Sequence, residues 1–198
     1  MKAPAAQRLP PGRHKIPREL VRENQRLRLT SAAAETLAEQ GYAAITVTEV
    51  AKGAGVSTGT LYKRFDGLWG CLLAAYERGS DRLCEEIQRA CSAEEGGAAA
   101  IARALSLLAS EPALANLLFA TPPTHAAALG SARLRLAERL ATLLRAARHG
   151  SEEDNRRELP PVAGAMALVS TQLRVGGASR LRDLGPTLTE ILLAPRLR

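Results

Sequence analysis

The chain has 198 residues, of which 46% are hydrophobic and 3% aromatic, and it carries a formal net charge of +7. No secretory signal pattern and no apolar run of the about 20 residues that span a bilayer is present, so we expect a cytoplasmic location without a membrane partner. The positive charge indicates a polyanionic partner, nucleic acid first and an anionic membrane surface second. A core built mainly from Ala and Leu favours helices over sheets.

The predicted elements begin with a flexible basic arm over residues 1–17, where several prolines lie among Lys and Arg. Apolar residues then follow a helical stripe over residues 18–40, which Gly41 ends. Thr46 and Glu49 have the spacing of a capping box, which predicts a second, short helix that ends at Gly53 and Gly55. Ser57 is a good N-cap for a third helix.

The rest of the chain is also helical in pattern. Predicted helices cover residues 68 to about 90, 98–109, 112 to about 120, 126–148, about 160–175 and about 181–193, with a charged loop over 150–157. No strand alternation is present, so the predicted fold class is all-α with about nine helices. We expect a basic arm over 1–17, a DNA-binding domain over 18–66 and a second helical domain over 67–198.

The segment Gly55-Val56-Ser57-Thr58-Gly59 allows two interpretations. Its Gly-x-Ser-x-Gly spacing is that of the turn that exposes the nucleophilic serine of many hydrolases, but that turn requires a preceding β-strand. Here the preceding residues have a capped helical pattern, which favours a helix-turn-helix in which the first short helix braces the second. A serine hydrolase using Ser57 stays the minor alternative, and no catalytic residue is predicted otherwise.

The helical spacing divides the side chains of this motif into two faces. The apolar residues that lock the two short helices together are Val47, Val50, Ala51, Val56, Leu61 and Phe65. The residues left to face a ligand are Thr58, Thr60, Tyr62, Lys63 and Arg64, a set that suits phosphates and base edges.

Residues 22–76 resemble the N-terminal domain of the TetR family of bacterial transcriptional repressors. The residues in register with that family are Gly41, Tyr42, Thr46, Val47, Val50, Ala51, Gly55, Val56, Ser57, Gly59, Leu61, Tyr62 and Phe65. The resemblance implies a ligand-responsive repressor, not an enzyme, that binds a palindromic operator in double-stranded DNA as a homodimer and is released by a small molecule.

The same resemblance implies roles for single residues. Thr48, Thr58, Thr60 and Lys63 correspond to base or near-base contacts, Ser57, Tyr62 and Arg64 to phosphate contacts, and Gly59 to a close approach of the helix to DNA. The family usually has a lysine at the start of helix four, where this chain has Leu68. Arg64, or Arg13, Lys15 and Arg18 near the N-terminus, are the candidates to replace that phosphate contact.

The C-terminal half resembles the family more loosely. A dimer interface from the last two helices would use Gly164, Ala165, Leu168, Leu188, Ile191 and Leu192, although the same residues suit a core within one chain. Tyr76, Phe119, Met166 and Gln172 are the candidates to line a cavity for a largely apolar effector, with ordinary packing as the alternative.

The cysteines Cys71, Cys84 and Cys91 are an odd number without Cys-x-x-Cys spacing, which argues against a disulfide framework and a zinc site. No metal and no cofactor are predicted. A thiol-based redox sensor that uses these cysteines is the second alternative function.

Overall fold

The computed structural model describes residues 17–92, 96–120, 126–147 and 155–194. In these ranges the chain forms nine α-helices, one 3₁₀ helix and no strand, which confirms the all-α prediction. The helices are α1 (Arg18–Gln40), α2 (Val47–Gly53), α3 (Thr58–Arg64), α4 (Gly67–Ser92), α5 (Gly96–Ser110), α6 (Pro112–Phe119), α7 (Ala126–Ala147), α8 (Asn155–Gly176), the 3₁₀ helix (Ala178–Leu184) and α9 (Gly185–Leu193). The predicted basic arm, with Arg13 and Lys15, lies outside the described residues except for residue 17.

The chain divides into two compact units, Met1–Glu77 and Arg78–Arg198. The boundary lies inside α4, whereas the sequence suggested a boundary at residues 66 and 67. The N-terminal unit therefore contains the predicted helix-turn-helix together with the first part of α4.

In the N-terminal unit, α1 packs against both α2 and α3, and α2 packs against α3. The side chains at the centre are Leu29 of α1, Val50 of α2 and Leu61 of α3, each 0% exposed. Because α2 and α3 have only seven residues each, their stability depends on this packing rather than on helix propensity.

In the C-terminal unit, α7 packs against α8, α5 packs against α9 and the 3₁₀ helix, and α6 packs against α8. Its core is aliphatic, and its fully buried side chains include Leu117, Leu118, Leu129, Leu136 and Leu181. Helix α4 approaches α6 closely, since a Cβ added at Gly79 would lie 2.7 Å from Cδ1 of Leu114. A glycine at this position lets the two helices come together.

Two predicted boundaries are wrong. Helix α8 begins at Asn155 rather than near Pro160, so residues 155–157 of the expected charged loop are helical. Pro160 and Pro161 lie inside this helix, where they lack the amides that would bond to the carbonyls of residues 156 and 157. The expected helix over about 181–193 is instead the 3₁₀ helix followed by α9, because Pro186 lacks the amide that would continue an α-helix through Gly185.

Within the described ranges no single helix is both long and apolar enough to cross a membrane. One pair of consecutive helices, Gly96–Ser110 and Pro112–Phe119, reaches that length and composition together, but it bends by 108° at the break.

Candidate nucleic-acid interface and apolar cavity

Helix α2 begins at the cap that the sequence predicts. The Glu49 amide donates to Thr46 Oγ1 at 3.3 Å, and the Thr46 hydroxyl donates to Glu49 Oε2 at 3.2 Å. Thr46 thus satisfies one of the amides that the first turn of a helix leaves unpaired. The cap fixes where α2 starts and so which of its faces meets α1.

The turn after α2 has a left-handed residue at Gly55, whose φ is 61°. The Gly55 amide donates to the Lys52 carbonyl at 2.9 Å and the Val56 amide to the Ala51 carbonyl at 3.0 Å. This pairing is a Schellman motif, which ends a helix at a left-handed glycine. Glycine is required there by its conformation, as the helix-turn-helix interpretation predicts.

Ser57 is the N-cap of α3. Its Oγ accepts from the Thr60 amide at 3.2 Å and lies 3.0 Å from Thr60 Oγ1. Because helix α2 precedes Gly55 where a nucleophile turn needs a strand, the structure does not support the serine hydrolase alternative. The Ser57 hydroxyl instead stabilises the start of α3.

The two faces of the motif are separated as predicted for the central positions. Val50, Ala51, Leu61 and Phe65 are buried, while Val47 and Val56 are partly exposed. On the opposite side, Tyr62 is 62% exposed. The other exposed residues of the predicted set are Thr48, Ser57, Thr58, Gly59 and Lys63, whereas Thr60 and Arg64 are partly exposed.

Three polar residues of α1 contact the ends of the short helices, and no sequence pattern predicts these contacts. Arg28 Nη2 donates to the carbonyls of Ala54 and of Gly55, the latter at 3.1 Å. A cation at these carbonyls offsets the negative end of the α2 dipole. No sequence pattern identified Arg28, because its partners lie 26 and 27 residues away.

The end of α3 is bound by the two neighbouring residues Gln25 and Arg26. Arg26 Nη1 donates to the Arg64 carbonyl at 2.9 Å, and its guanidinium carbon lies 4.5 Å from the centroid of the Phe65 ring. Arg64 Nε and Nη2 both donate to Gln25 Oε1, at 3.0 and 2.8 Å. The predicted phosphate contact Arg64 is therefore also a contact between α3 and α1.

Two further positions discussed from the sequence, Arg18 and Leu68, also lie in the N-terminal unit. Arg18 is exposed as the first residue of α1. Leu68, where the resemblance expects a lysine, is partly exposed at the start of α4. The outer surface of this unit thus keeps its cations on α1, α2 and α3.

All three cysteines are free thiols. Burial raises the pKa of the Cys71 thiol from 9.0 to about 12, and the charge of Arg26 opposes this rise. Burial also raises the pKa of Cys84. Because the thiolate is the reactive form, these two residues do not favour the redox-sensor alternative.

The C-terminal unit contains a cavity of about 120 Å³ among α4, α5, α6, α7, α8 and α9. Its walls are aliphatic side chains with Phe119, Met166, Cys91 and Gly97, and none of the described residues that line it is charged. Such a cavity binds apolar groups by removing them from water. Among the described residues no three His, Cys, Asp or Glu side chains lie close enough to hold a metal ion.

The predicted effector residues fall into two groups. Phe119 and Met166 line the cavity. Tyr76 is 0% exposed in the N-terminal unit, and Gln172 is partly exposed on α8; neither is among the residues that line it. The cavity residues that were missed, such as Ile87, share the apolar helical spacing of packing residues, so no signal distinguished them.

The predicted interface residues also differ in exposure. Gly164 is exposed on α8, Ile191 is 38% exposed on α9, and Leu168 is partly exposed. Ala165, Leu188 and Leu192 line the cavity and so contribute to the interior of the C-terminal unit.

Two capped short helices joined by a glycine turn, with an exposed hydroxyl and cationic face, define a helix-turn-helix domain of the DNA-binding type. The family model for bacterial regulatory proteins of the tetR family matches residues 29–75, which contain both short helices. The N-terminal helix-turn-helix domain of this chain is therefore of the tetR-family type.

A relative and several solved structures are similar to this chain. The Fatty acid metabolism regulator protein of Bacillus subtilis (strain 168) is 33% identical over 93 residues, which are 45% of this chain and 48% of that protein. The chain thus matches about half the length of this curated relative.

Among solved structures, the transcriptional regulator FadR from Bacillus subtilis, in complex with stearoyl-CoA, is 21% identical with a TM-score of 0.67, covering 86% of this chain and 99% of that one. The fatty acid degradation regulator FadR from Bacillus halodurans is 21% identical with a TM-score of 0.71, covering 88% of this chain and 97% of that one. At these identities the likeness shows a shared fold.

Replacing Gly55 by Ala is expected to destabilise the N-terminal unit. An L-residue at this left-handed φ costs about 1–2 kcal/mol, and the added Cβ would lie 2.7 Å from Arg28 Nη2. The matched variant Gly59→Ala has room, with Ser57 Oγ at 3.8 Å, and should stabilise α3 by about 0.5 kcal/mol. Urea unfolding followed by the fluorescence of Trp69, the single tryptophan, which lies in this unit, measures both. Equal midpoints for the two variants would contradict the assigned turn.

The buried Cys71 thiol predicts a loss of stability at high pH. Its raised pKa keeps it protonated in the folded unit while the unfolded chain ionises, so stability is lost as pH rises from 9.0 towards about 12. The loss approaches about 1.4 kcal/mol per pH unit for one thiol. Cys71→Ala should therefore lose less stability than the unaltered protein between about pH 8 and about pH 10 in the same fluorescence assay. Parallel losses would show that the thiol ionises freely.

Proposed function

We propose that this chain is a ligand-responsive transcriptional repressor that binds a palindromic operator as a homodimer and is released by a small molecule. The observation that carries the proposal is the outer face of α3, where Tyr62 and Lys63 are exposed above a helix whose Leu61 is 0% exposed. A helix braced from one side and polar on the other is the arrangement that enters a major groove.

The side chains of this face divide by chemistry. Thr48, Thr58, Thr60 and Lys63 carry the hydroxyl and ammonium groups that bind base edges, and Tyr62 and Arg64 suit phosphate oxygens. We propose further DNA contacts at Ser57, at Gly59 and at the cations Arg13, Lys15 and Arg18. Of these, Gly59 lies on the exposed side of α3, where the absence of a side chain favours close approach to DNA.

The outer face of α8 supports the homodimer. This face consists of five exposed residues, which are Pro160, Gly164, Ala167, Thr171 and Val175. Val175 is 83% exposed. These residues are small or uncharged and follow one helical stripe, and a Cβ added at Gly164 would meet no atom within 4 Å. A second copy of α8 can therefore approach closely there, joined by Ile191 of α9.

The apolar lining of the cavity favours an effector with an apolar group, such as part of a fatty acyl chain. Each methylene transferred from water to such a cavity contributes about 0.8 kcal/mol. Because the described residues of the walls are all uncharged, a charged head group would remain outside the cavity to avoid an unpaired buried charge. The similar structure from Bacillus subtilis binds stearoyl-CoA, an amphiphile of this kind, and we propose an acyl-CoA as the effector class.

Two further parts of the proposal follow from this role. A repressor of chromosomal genes acts in the cytoplasm, where the DNA lies. It needs no catalytic residue, cofactor or metal, since its output is the occupancy of an operator.

Binding to a promoter fragment beside its own gene tests the DNA-binding role. The complex should weaken steeply with salt, because phosphate contacts release counterions. Lys63→Ala should weaken it about tenfold, while Arg182→Ala, which removes an exposed cation of the C-terminal unit, should change it by about twofold or less. Light scattering should give twice the chain mass of 21.0 kDa. Folded protein that does not shift the DNA at low salt, or a monomer at micromolar concentration, would contradict the proposal.

Release of that DNA by stearoyl-CoA tests the effector class, with free coenzyme A as the ligand control. Ala104 lines the cavity and Ala102 is exposed on the same helix. Ala104→Phe should fill the cavity and abolish release while leaving DNA binding intact, and Ala102→Phe should retain both. We would measure the anisotropy of labelled DNA during the titration. Equal responses of the two variants would exclude this cavity as the effector site.

A further inference from the structure

Arg64 is the last residue of α3, and both its side chain and its carbonyl are bound by α1. Its Nε and Nη2 donate to Gln25 Oε1 at 3.0 and 2.8 Å, and its carbonyl accepts from Arg26 Nη1 at 2.9 Å. A guanidinium has five N–H groups in a rigid plane. Two bonds to one oxygen therefore fix the plane of the Arg64 guanidinium and leave other N–H groups for a second partner.

The partner that fixes Arg64 is uncharged. Among the described residues no carboxylate forms an ion pair with Arg64, whereas Arg82 of the C-terminal unit pairs with both carboxylate oxygens of Glu111. A carboxylate neutralises the cation that it orients, and an amide does not. The Arg64 guanidinium is thus held in place with its full positive charge, and it is partly exposed on α3.

Arg64 ends α3 directly after the exposed residues Tyr62 and Lys63. A guanidinium fixed at this position can offer a cation to an anionic ligand of the exposed face. Its fixed plane also suits the bidentate geometry of phosphate recognition.

We propose that Gln25 is a positioning residue for DNA binding, whose side-chain oxygen orients Arg64 towards a DNA phosphate without neutralising it. This inference rests on the proposed function. Orientation before binding reduces the side-chain entropy lost when the phosphate is bound.

The test compares Arg64→Ala, Gln25→Glu and Gln25→Ala in their binding to the promoter fragment at several salt concentrations. The plot of log affinity against log salt has a negative slope. Arg64→Ala should make this slope less steep by about 0.9 for each phosphate that the protein no longer neutralises. Gln25→Glu should reduce the slope similarly, because its carboxylate would pair with Arg64. Gln25→Ala should keep the slope and weaken binding about threefold, since the charge stays but its orientation is no longer fixed.

Controls separate this role from a structural one. Gln40→Glu adds the same charge at the exposed last residue of α1 and should leave the slope unchanged. In the double variant Gln25→Ala with Arg64→Ala, binding should be no weaker than with Arg64→Ala alone. Trp69 fluorescence in urea reports whether each variant is folded.

Several results would overturn the inference. An unchanged slope for Arg64→Ala, with lower stability, would make Arg64 a structural contact only. An unchanged slope for folded Gln25→Glu, or unchanged affinity for Gln25→Ala, would remove the positioning role. Failure of the unaltered, folded protein to bind the DNA would instead overturn the proposed function, which is a separate outcome.

Discussion

The N-terminal unit depends on one constraint, which is that its two functional helices are too short to be stable alone. Helices α2 and α3 have seven residues each, well below the about 12–15 residues at which isolated helices become marginally stable. Helix α1, with 23 residues, provides what they lack. It covers their apolar sides with Leu29 and binds their C-terminal carbonyls through Arg26 and Arg28. The outer face of α3 is exposed because α1 packs against its inner face.

The C-terminal unit solves a different physical problem. Its α-helices are all longer than α2 and α3. Its core is almost wholly aliphatic, with Leu117, Leu118, Leu129 and Leu136 fully buried. Apolar packing is not directional, so it fills space without fixing unique partners, and it leaves a cavity lined by the same residue types. In the N-terminal unit, by contrast, side-chain hydrogen bonds with defined geometry hold the ends of α2 and α3.

The amino-acid sequence predicts the parts of the fold that short-range chemistry determines. Thr46, Gly55 and Ser57 were identified because caps and turns involve residues within about five positions of one another. Gln25, Arg26 and Arg28 were missed because their partners lie 26 to 39 residues along the chain. The cavity residues were indistinguishable from packing residues, since an apolar side chain at helical spacing has the same pattern whether its neighbour is another side chain or empty space. The predicted start of α8 was wrong and the break before α9 was missed. The rule that proline favours the first position of a helix describes only part of what these prolines do.

The bonds from Arg26 and Arg28 end on main-chain oxygens of Ala54, Gly55 and Arg64. Every residue type carries that oxygen, so these bonds place no demand on the side chains at positions 48, 58, 60 and 63. The bonds from Arg26 and Arg28 thus hold the ends of the short helices through main-chain atoms alone. The outer side chains of these helices can therefore be substituted while α1 continues to hold the altered helices in the same place.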